Sequence, residues 1–201
     1  MPPPSTPRRS FRPWVIIGSL VAAAYIALCL LVGLNQRSLL YFPSHSTART
    51  PLQPWIVSGE NIGYSRTVAQ PKTVWLMTHG NGGQAADRAY VLPRMSRADS
   101  LYVLEYPGYG LRAGSPSKDA MNAAALAAYE VLRREFPGTP VCVLGESIGS
   151  GPASYLGSVS RPPDKIILVV PFDTLANVAA HRMPFLPVRL LLRDRWDNLT
   201  A

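Results

Sequence analysis

The sequence predicts an α/β protein in which a mostly parallel sheet is flanked by helices, with one transmembrane helix near the N-terminus. Four short apolar runs, at 73–77, 101–104, 141–144 and 166–170, alternate with segments of helical pattern. Such alternation is typical of parallel strands joined by helical crossovers. A separate uncharged stretch, residues 14–34, has the length and composition of a membrane span.

The composition is that of a globular domain and argues against a nucleic-acid partner. Of 201 residues, 47% are hydrophobic, which is enough for a sizeable core. The net charge is +8, but the basic residues form no stripe interleaved with aromatic side chains, so we expect no nucleic-acid binding. Cys29 and Cys142 both lie in apolar runs, and we expect buried thiols rather than a disulfide.

The chain divides into four parts. Residues 1–13 are rich in proline and arginine, and we expect a disordered cytoplasmic tail. Residues 14–34 would form a helix of about 31 Å, which matches the hydrocarbon core of a bilayer. Residues 35–70 are polar and turn-rich, as expected for a linker and edge strands. Residues 71–201 carry the alternating α/β pattern.

Flanking charges predict the orientation of the apolar stretch. Arg8, Arg9 and Arg12 precede it, so the positive-inside rule leaves the N-terminus in the cytoplasm and the main domain on the extracytoplasmic side. A cleaved signal peptide is the alternative. The stretch is long for such a peptide and no convincing A-x-A cleavage site follows it. We therefore expect a single-pass signal anchor.

The elements after the first strand follow in order. A glycine-rich loop, 79–83, leads into a predicted helix over 84–97. The next strand ends in a second glycine-containing segment, 105–110. Ser115 and Pro116 predict the start of a long helix, because proline is favoured at the first helical position. One face of that helix is apolar: Met121, Ala125, Ala128, Leu132 and Phe136.

A G-x-S-x-G motif at 145–149 follows the third strand and opens a predicted helix of small residues over 148–159. In this context the motif predicts a sharp strand-to-helix turn that exposes the Ser147 hydroxyl. Gly145 and Gly149 are expected where the turn is tight and the helix approaches its neighbours. Ser147 is therefore the candidate nucleophile. An ordinary turn with a capping serine is the alternative.

The glycine-rich loop after the first strand is the candidate oxyanion site. We expect one donor to be the Asn81 N–H, with the Gly82 N–H as the neighbouring possibility. The second donor would be the Ile148 N–H, at a helix N-terminus that favours negative charge. His79 and Gly80 are expected to support the loop rather than to react. A phosphate site is less favoured because the G-x-x-x-x-G-K-[ST] pattern is absent.

With both motifs in view, the chain resembles the α/β-hydrolase superfamily, and within it the membrane-anchored serine hydrolases that include depalmitoylases and lysophospholipid lipases. The resemblance extends over roughly residues 35–201. Besides the two motifs, it rests on 36–43, 106–110, 114–117 and 171–177. It implies cleavage of an acyl ester or thioester, with no metal and no organic cofactor, and the apolar anchor favours a lipidic substrate.

The chain departs from the family's order of serine, acid and histidine. Two more strand-helix units would need about 60 residues, so we expect an incomplete core that lacks the acid and the histidine and is nearly inactive alone. Asp173 and His181 have the right chain order, but Asp173 fits better as the N-cap of a helix at Leu175. A catalytically inactive, membrane-tethered binding module is the alternative.

Overall fold

A computed structural model describes residues 12–46 and 49–200. The tail expected at 1–13 lies outside the described residues except for Arg12 and Pro13, which are helical. In chain order the elements are α1 (Arg12–Leu40), β1 (Phe42–Pro43), β2 (Gln53–Val57), β3 (Glu60–Arg66), β4 (Val74–Thr78), β5 (Gly82–Gly83), a 3₁₀ helix (Ala85–Arg94), β6 (Ser100–Leu104), α2 (Lys118–Glu135), β7 (Val141–Glu146), a 3₁₀ turn (Ser147–Gly149), α3 (Ser150–Gly157), β8 (Ile166–Val169), α4 (Leu175–Arg182) and α5 (Val188–Leu191).

Six strands form one sheet in the order β2-β3-β6-β4-β7-β8. Strands β6, β4, β7 and β8 are parallel, and the antiparallel hairpin of β2 and β3 joins them through β6. The short strands β1 and β5 pair with each other in parallel. The four parallel strands coincide with the four apolar runs, so the predicted mostly parallel α/β sheet is confirmed.

Helices and turns cover both faces of the sheet. Successive residues of a strand face opposite sides, and β4 shows this clearly. Val74 and Leu76 belong to a core cluster that includes residues of α2 and α3. Met77 belongs to a second cluster, on the other face, with Ala85 of the 3₁₀ helix. Burial on both sides explains why the apolar runs of β4, β6 and β7 are continuous rather than alternating.

The helix predicted over 84–97 is wrong in type and length. The structure has a 3₁₀ helix at Ala85–Arg94. Pro93 lies inside this segment, and a proline has no N–H with which to continue an α-helix. At the other end, the Gln84 N–H donates to the Asp87 carboxylate at 3.1 Å and so closes the first turn.

Helix α2 begins later than Ser115 and Pro116 predicted. Its N-cap is Ser117, whose Oγ accepts a hydrogen bond from the Ala120 N–H at 3.1 Å. That bond satisfies a free N–H of the first turn, so the helix starts there and the proline precedes it. The helix over 148–159 is also shorter than predicted, since a 3₁₀ turn at Ser147–Gly149 precedes α3.

Helix α1 is long and apolar enough to cross a membrane by length and composition. It continues to Leu40 and thus includes residues 35–40, which the sequence predicted to be a linker. Tertiary contacts account for the extension. Gln36 exchanges hydrogen bonds with Leu191 and Arg193, and Arg37 forms an ion pair with Asp194 at 3.1 Å. The sequence around residues 35–40 shows no sign of these distant partners.

Candidate functional site

Ser147 follows the last residue of β7 and adopts a φ of 51°. A positive φ is uncommon for a residue with a Cβ, because the side chain crowds the following carbonyl. The residue is half-buried, and within the described ranges no protein atom is hydrogen-bonded to its Oγ. Ser147 therefore occupies a sharp strand-to-helix turn, as the G-x-S-x-G motif predicts.

The two glycines of the motif lie where a side chain would collide with the backbone. A Cβ on Gly145 would be 2.6 Å from the Ala153 Cβ. A Cβ on Gly149 would overlap the carbonyl oxygens of Thr78 and His79 at the end of β4. The Thr78 hydroxyl also donates to the Gly149 carbonyl at 2.8 Å. The turn is thus held against the end of β4, and glycine is required at both positions.

The glycine-rich loop after β4 lies beside the candidate nucleophile. A Cβ built on Gly80 would be 3.7 Å from the Ser147 Cβ. The Asn81 side chain holds the loop in place, since its Oδ1 accepts from the Tyr109 hydroxyl at 2.8 Å and from the Phe42 N–H at 3.2 Å. Its Nδ2 donates to the Leu40 carbonyl at the end of α1. Asn81 therefore joins α1, β1 and the turn after β6.

The backbone N–H groups near Ser147 differ in whether they are already engaged. The Gly80 N–H donates to the Glu146 carboxylate at 3.2 Å. The Asn81 N–H has no protein acceptor in the part of the chain that the structure describes. The Ile148 N–H is the second of its 3₁₀ turn and has no acceptor within that turn. Asn81 and Ile148 therefore stay candidate oxyanion donors, with Gly82 as the neighbouring possibility.

Glu146, directly before Ser147, links the turn to the loop, and sequence reasoning missed this role. Besides the Gly80 N–H, it accepts from the Tyr90 hydroxyl at 2.6 Å, and Arg88 lies 3.9 Å from its Oε2. Arg88 in turn donates to the carbonyl of Gly82. Burial, together with the bond to Glu146, raises the pKa of Tyr90 to about 12. The sequence feature that could have indicated this role is a charged residue at the end of an apolar strand.

His79 is fully buried under the loop. Its Nδ1 is 2.7 Å from the Gly80 carbonyl, and its Nε2 is 3.5 Å from the Glu105 carboxylate. The Tyr106 ring stacks at 4.4 Å between centroids, and the Tyr106 hydroxyl donates to the His79 carbonyl at 2.8 Å. The Nδ1 is hydrogen-bonded within the loop and the Nε2 has no hydrogen-bond partner among the described residues, while the buried position under the loop favours a supporting role.

The other two histidines do not reach the candidate nucleophile through a hydrogen bond in the described residues. His45 is hydrogen-bonded to the Gly110 carbonyl at 2.8 Å, and His181 is exposed in α4. Asp173 is exposed as well and does not bond to His181. The structure thus gives no support to a Ser147–Asp173–His181 triad. Nor do the described residues bring together three side chains that could hold a metal ion.

The predicted N-cap at Asp173 is also corrected. Thr174 is the N-cap of α4, and its Oγ1 accepts from the Asn177 N–H at 3.2 Å. Asp173 lies one residue earlier, where its carboxylate accepts from the Asn177 side chain and from the Thr174 N–H. These two bonds lower the pKa of Asp173.

An apolar groove of about 520 Å³ runs along the sheet face beside this region. Glu146 and Tyr90 lie at its edge, but Ser147 does not line it. Its apolar walls come from the sheet and the 3₁₀ helix: Trp75, Met77, Val91, Leu144, Ile167 and Val169. The groove is therefore adjacent to the candidate site without containing the candidate nucleophile.

Comparison with known proteins identifies relatives across most of the chain. No family model matches it. It is 32% identical over 202 residues to the uncharacterized protein Rv2307c of Mycobacterium tuberculosis, covering 93% of this chain and 70% of that protein. It is 30% identical over 147 residues to the lysophosphatidylserine lipase ABHD12 of Danio rerio, covering 69% of this chain and 38% of that lipase.

A solved structure shows the same fold. The Pyrococcus furiosus esterase PF2001 aligns with a TM-score of 0.54 at 14% identity, over 76% of this chain and 65% of the esterase. Together with the parallel sheet and the Ser147 turn, these likenesses agree with the resemblance expected from the motifs. The chain belongs to the α/β-hydrolase superfamily.

Proposed function

We propose that this protein is a membrane-anchored serine hydrolase that cleaves an acyl ester or thioester through Ser147. The observation that carries the proposal is the positive φ of Ser147, 51°, at the junction of β7 and a helical turn. A strained conformation at this point presents the hydroxyl beyond the end of the sheet. The ester class is supported by the esterase and lipase names of the relatives.

The chemistry follows from the positions of three groups. The Ser147 Oγ attacks the acyl carbonyl and loses its proton to a base, and the carbonyl oxygen becomes an oxyanion. The N–H groups of Asn81 and Ile148 stabilise that oxyanion. Collapse expels the alcohol or thiol, which takes up the proton, and leaves an acyl group on Ser147. Water then releases the acid by the same steps in reverse order.

Within residues 12–46 and 49–200, no side chain that could act as a general base is hydrogen-bonded to Ser147. An unassisted serine hydroxyl stays protonated at neutral pH and is a poor nucleophile. Without the base, a residual acceleration of about 10³–10⁴ over water is expected from the oxyanion donors and substrate binding. We therefore expect slow turnover by the chain as printed. The absence of a contacting histidine also favours a second candidate, a membrane-tethered binding module.

The substrate class and the location are part of the same proposal. The lipase relative is named for a lysophospholipid, and α1 has the length and composition of a membrane span. A serine hydrolase held at a bilayer by α1 would meet acyl esters that reside in that bilayer. From Arg8, Arg9 and Arg12 at the start of the chain and the positive-inside rule, we expect the hydrolase domain on the extracytoplasmic side.

Chemical rescue by imidazole tests the proposal. Free imidazole can act as the missing base, so it should accelerate modification of the chain by a fluorophosphonate. Ser147→Ala should abolish the reaction. Ser158→Ala is the matched control, because Ser158 is exposed at the end of α3 and contacts only the Tyr155 carbonyl.

Three outcomes would contradict parts of this account. Equal labelling of the Ser147→Ala variant would remove Ser147 as nucleophile. Fast labelling of the unaltered chain that imidazole does not change would show that the chain already contains a working base. Absence of any Ser147-dependent labelling with imidazole would favour the binding module.

A further inference from the structure

The segment that contains α4 and α5 packs against the apolar part of α1. The Tyr25 hydroxyl donates to the Phe185 carbonyl at 2.9 Å. A cluster of apolar side chains closes the contact: Cys29, Val32, Ala179, Ala180, Met183, Leu186, Val188 and Leu191. These contacts place residues 183–192, the connection between α4 and α5 together with α5, alongside the half of the apolar span that is nearer the hydrolase domain.

The position of Tyr25 sets how deep this segment lies. The apolar span of α1 ends at Leu34, and Tyr25 precedes Leu34 by nine residues. At a rise of about 1.5 Å per residue, Tyr25 lies about 14 Å along the helix axis from Leu34. If α1 spans a bilayer, Phe185 must therefore lie below the level of Leu34, among the lipid chains.

The exposed side chains of the segment suit that environment. Phe185 is 64% exposed and Leu190 is 82% exposed, and neither is covered within the described chain. Both are large apolar residues on the segment that contacts α1. Continuity with the apolar surface of α1 indicates the same covering for both, namely lipid.

Most backbone N–H groups of the segment are either absent or hydrogen-bonded within the protein. In lipid, an unsatisfied N–H costs several kcal/mol. Pro184 and Pro187 have no N–H. The N–H groups of five residues donate to main-chain carbonyls of the same segment: Leu186, Val188, Leu190, Leu191 and Leu192. Those of Phe185 and Arg189 have no main-chain acceptor in the described residues. The Phe185 carbonyl is satisfied by Tyr25.

The charges flanking the segment fit a lipid headgroup region. Residues 175–196 contain four arginines and a single acidic residue, Asp194. Asp194 is buried, forms an ion pair with Arg37 at 3.1 Å and accepts a hydrogen bond from the Tyr41 hydroxyl at 3.1 Å. Arg182 and Arg189 are exposed. Exposed arginines beside an apolar surface favour anionic headgroups.

We propose that residues 183–192 insert into the leaflet that faces the hydrolase domain and bind lipid as a second membrane contact beside α1. This inference rests on the proposed membrane anchoring of α1. The chain that follows the inserted segment is hydrogen-bonded to the nucleophile turn. Asn198, just beyond it, donates to the Ser150 Oγ at 2.7 Å, and Ser150 donates to the Ser147 carbonyl at 2.6 Å. The membrane contact would hold Ser147 at a fixed height above the bilayer.

Spin labels measure the depth directly. Phe185→Cys and Leu190→Cys would be labelled with a nitroxide in the 201-residue chain carrying Cys29→Ala and Cys142→Ala, reconstituted in vesicles of phosphatidylcholine and phosphatidylglycerol. Ile56→Cys is the control, because Ile56 is an exposed apolar residue on β2. Power saturation compares collisions with oxygen, which concentrates in lipid, and with a water-soluble nickel complex.

Labels at 185 and 190 should collide more with oxygen than with nickel, and the label at 56 should do the reverse. Water-like behaviour at both 185 and 190 would overturn the proposal. Two parallel measurements separate this failure from others. Resistance to alkaline carbonate extraction reports insertion of α1, and imidazole-dependent labelling of Ser147 reports the proposed chemistry. A chain that passes both and still shows water at 185 and 190 refutes only the inserted segment.

Discussion

Replacement of Ser147 by glycine should stabilise the folded protein while it removes the nucleophile. Ser147 has a φ of 51°, and the left-handed conformation costs a residue with a Cβ roughly 1–2 kcal/mol. Glycine avoids this cost but loses more backbone entropy on folding. We expect Ser147→Gly to raise the free energy of unfolding by about 1 kcal/mol. For a chain of this size, that corresponds to about 2–4 °C in melting temperature.

Two variants make the comparison specific. Ser147→Ala keeps the Cβ and removes only a hydroxyl that has no hydrogen bond in the described residues, so its melting temperature should stay close to that of the unaltered chain. Ser58→Gly is a positive control, since Ser58 has a φ of 50° in the exposed turn between β2 and β3. Its free energy of unfolding should rise by a similar amount, and Ser147 should be unaffected.

Thermal unfolding of the detergent-solubilised chain, followed by circular dichroism, provides the assay. The strain argument predicts that both glycine variants melt higher and that the alanine variant does not. If Ser147→Gly melts at or below the temperature of Ser147→Ala, the Ser147 backbone is not strained. The turn would then lack the property from which its function is inferred.

Three further predictions concern the surroundings of Ser147 and the core. Gly149→Ala forces a Cβ into the carbonyls at the end of β4 and should lower the free energy of unfolding by about 3 kcal/mol or more. In the control Gly82→Ala, the new Cβ meets no atom within 4 Å, so the melting temperature should not change. Equal melting temperatures of the two variants would refute the packing argument. Glu146→Gln weakens the bond to the Gly80 N–H and should slow imidazole-rescued labelling about tenfold, a loss of about 1.4 kcal/mol; an unchanged rate would show that this carboxylate does not position the loop. Burial, and secondly the Glu135 carboxylate, raise the pKa of Tyr102 to about 12. The stabilising contribution of the protonated Tyr102 should therefore be present below pH 10 and be lost as the pH rises towards 12. Tyr102→Phe should flatten that decline in the melting temperature, and an unaltered decline would contradict the assignment.

Features encoded by local pattern could be predicted from the sequence. Burial on both faces produces the continuous apolar runs of β4, β6 and β7, and β8 was recognisable as a fourth apolar run although its residues are partly exposed. The alternation of these runs with helices indicated parallel pairing. The nucleophile turn was also recognisable, because the close approach of Gly149 to β4 demands glycine at a fixed distance from the serine. The roles of Asn81 and Ile148 as donors stay predictions.

Features that depend on distant contacts could not be predicted. The carboxylate of Glu146 is important because β4 and β7 bring Gly80 next to it, and the residues are 66 positions apart in the chain. The extension of α1 depends on partners near residue 194. The predicted N-cap positions were wrong for a different reason, because several neighbouring residues have a side-chain oxygen that could accept the capping hydrogen bond. The N-caps of α2 and α4 are Ser117 and Thr174, whose hydroxyls accept hydrogen bonds from free N–H groups of the first turn.

Mapping of the fluorophosphonate adduct tests the central claim most directly. The chain, labelled in the presence of imidazole, would be digested with trypsin and analysed by mass spectrometry. Peptide 135–165 contains Ser147 together with Ser150, Ser154, Ser158 and Ser160. The account predicts a single adduct, on Ser147. An adduct on another serine of this peptide, or labelling of other parts of the chain with Ser147 unmodified, would contradict the assignment of Ser147 as the nucleophile.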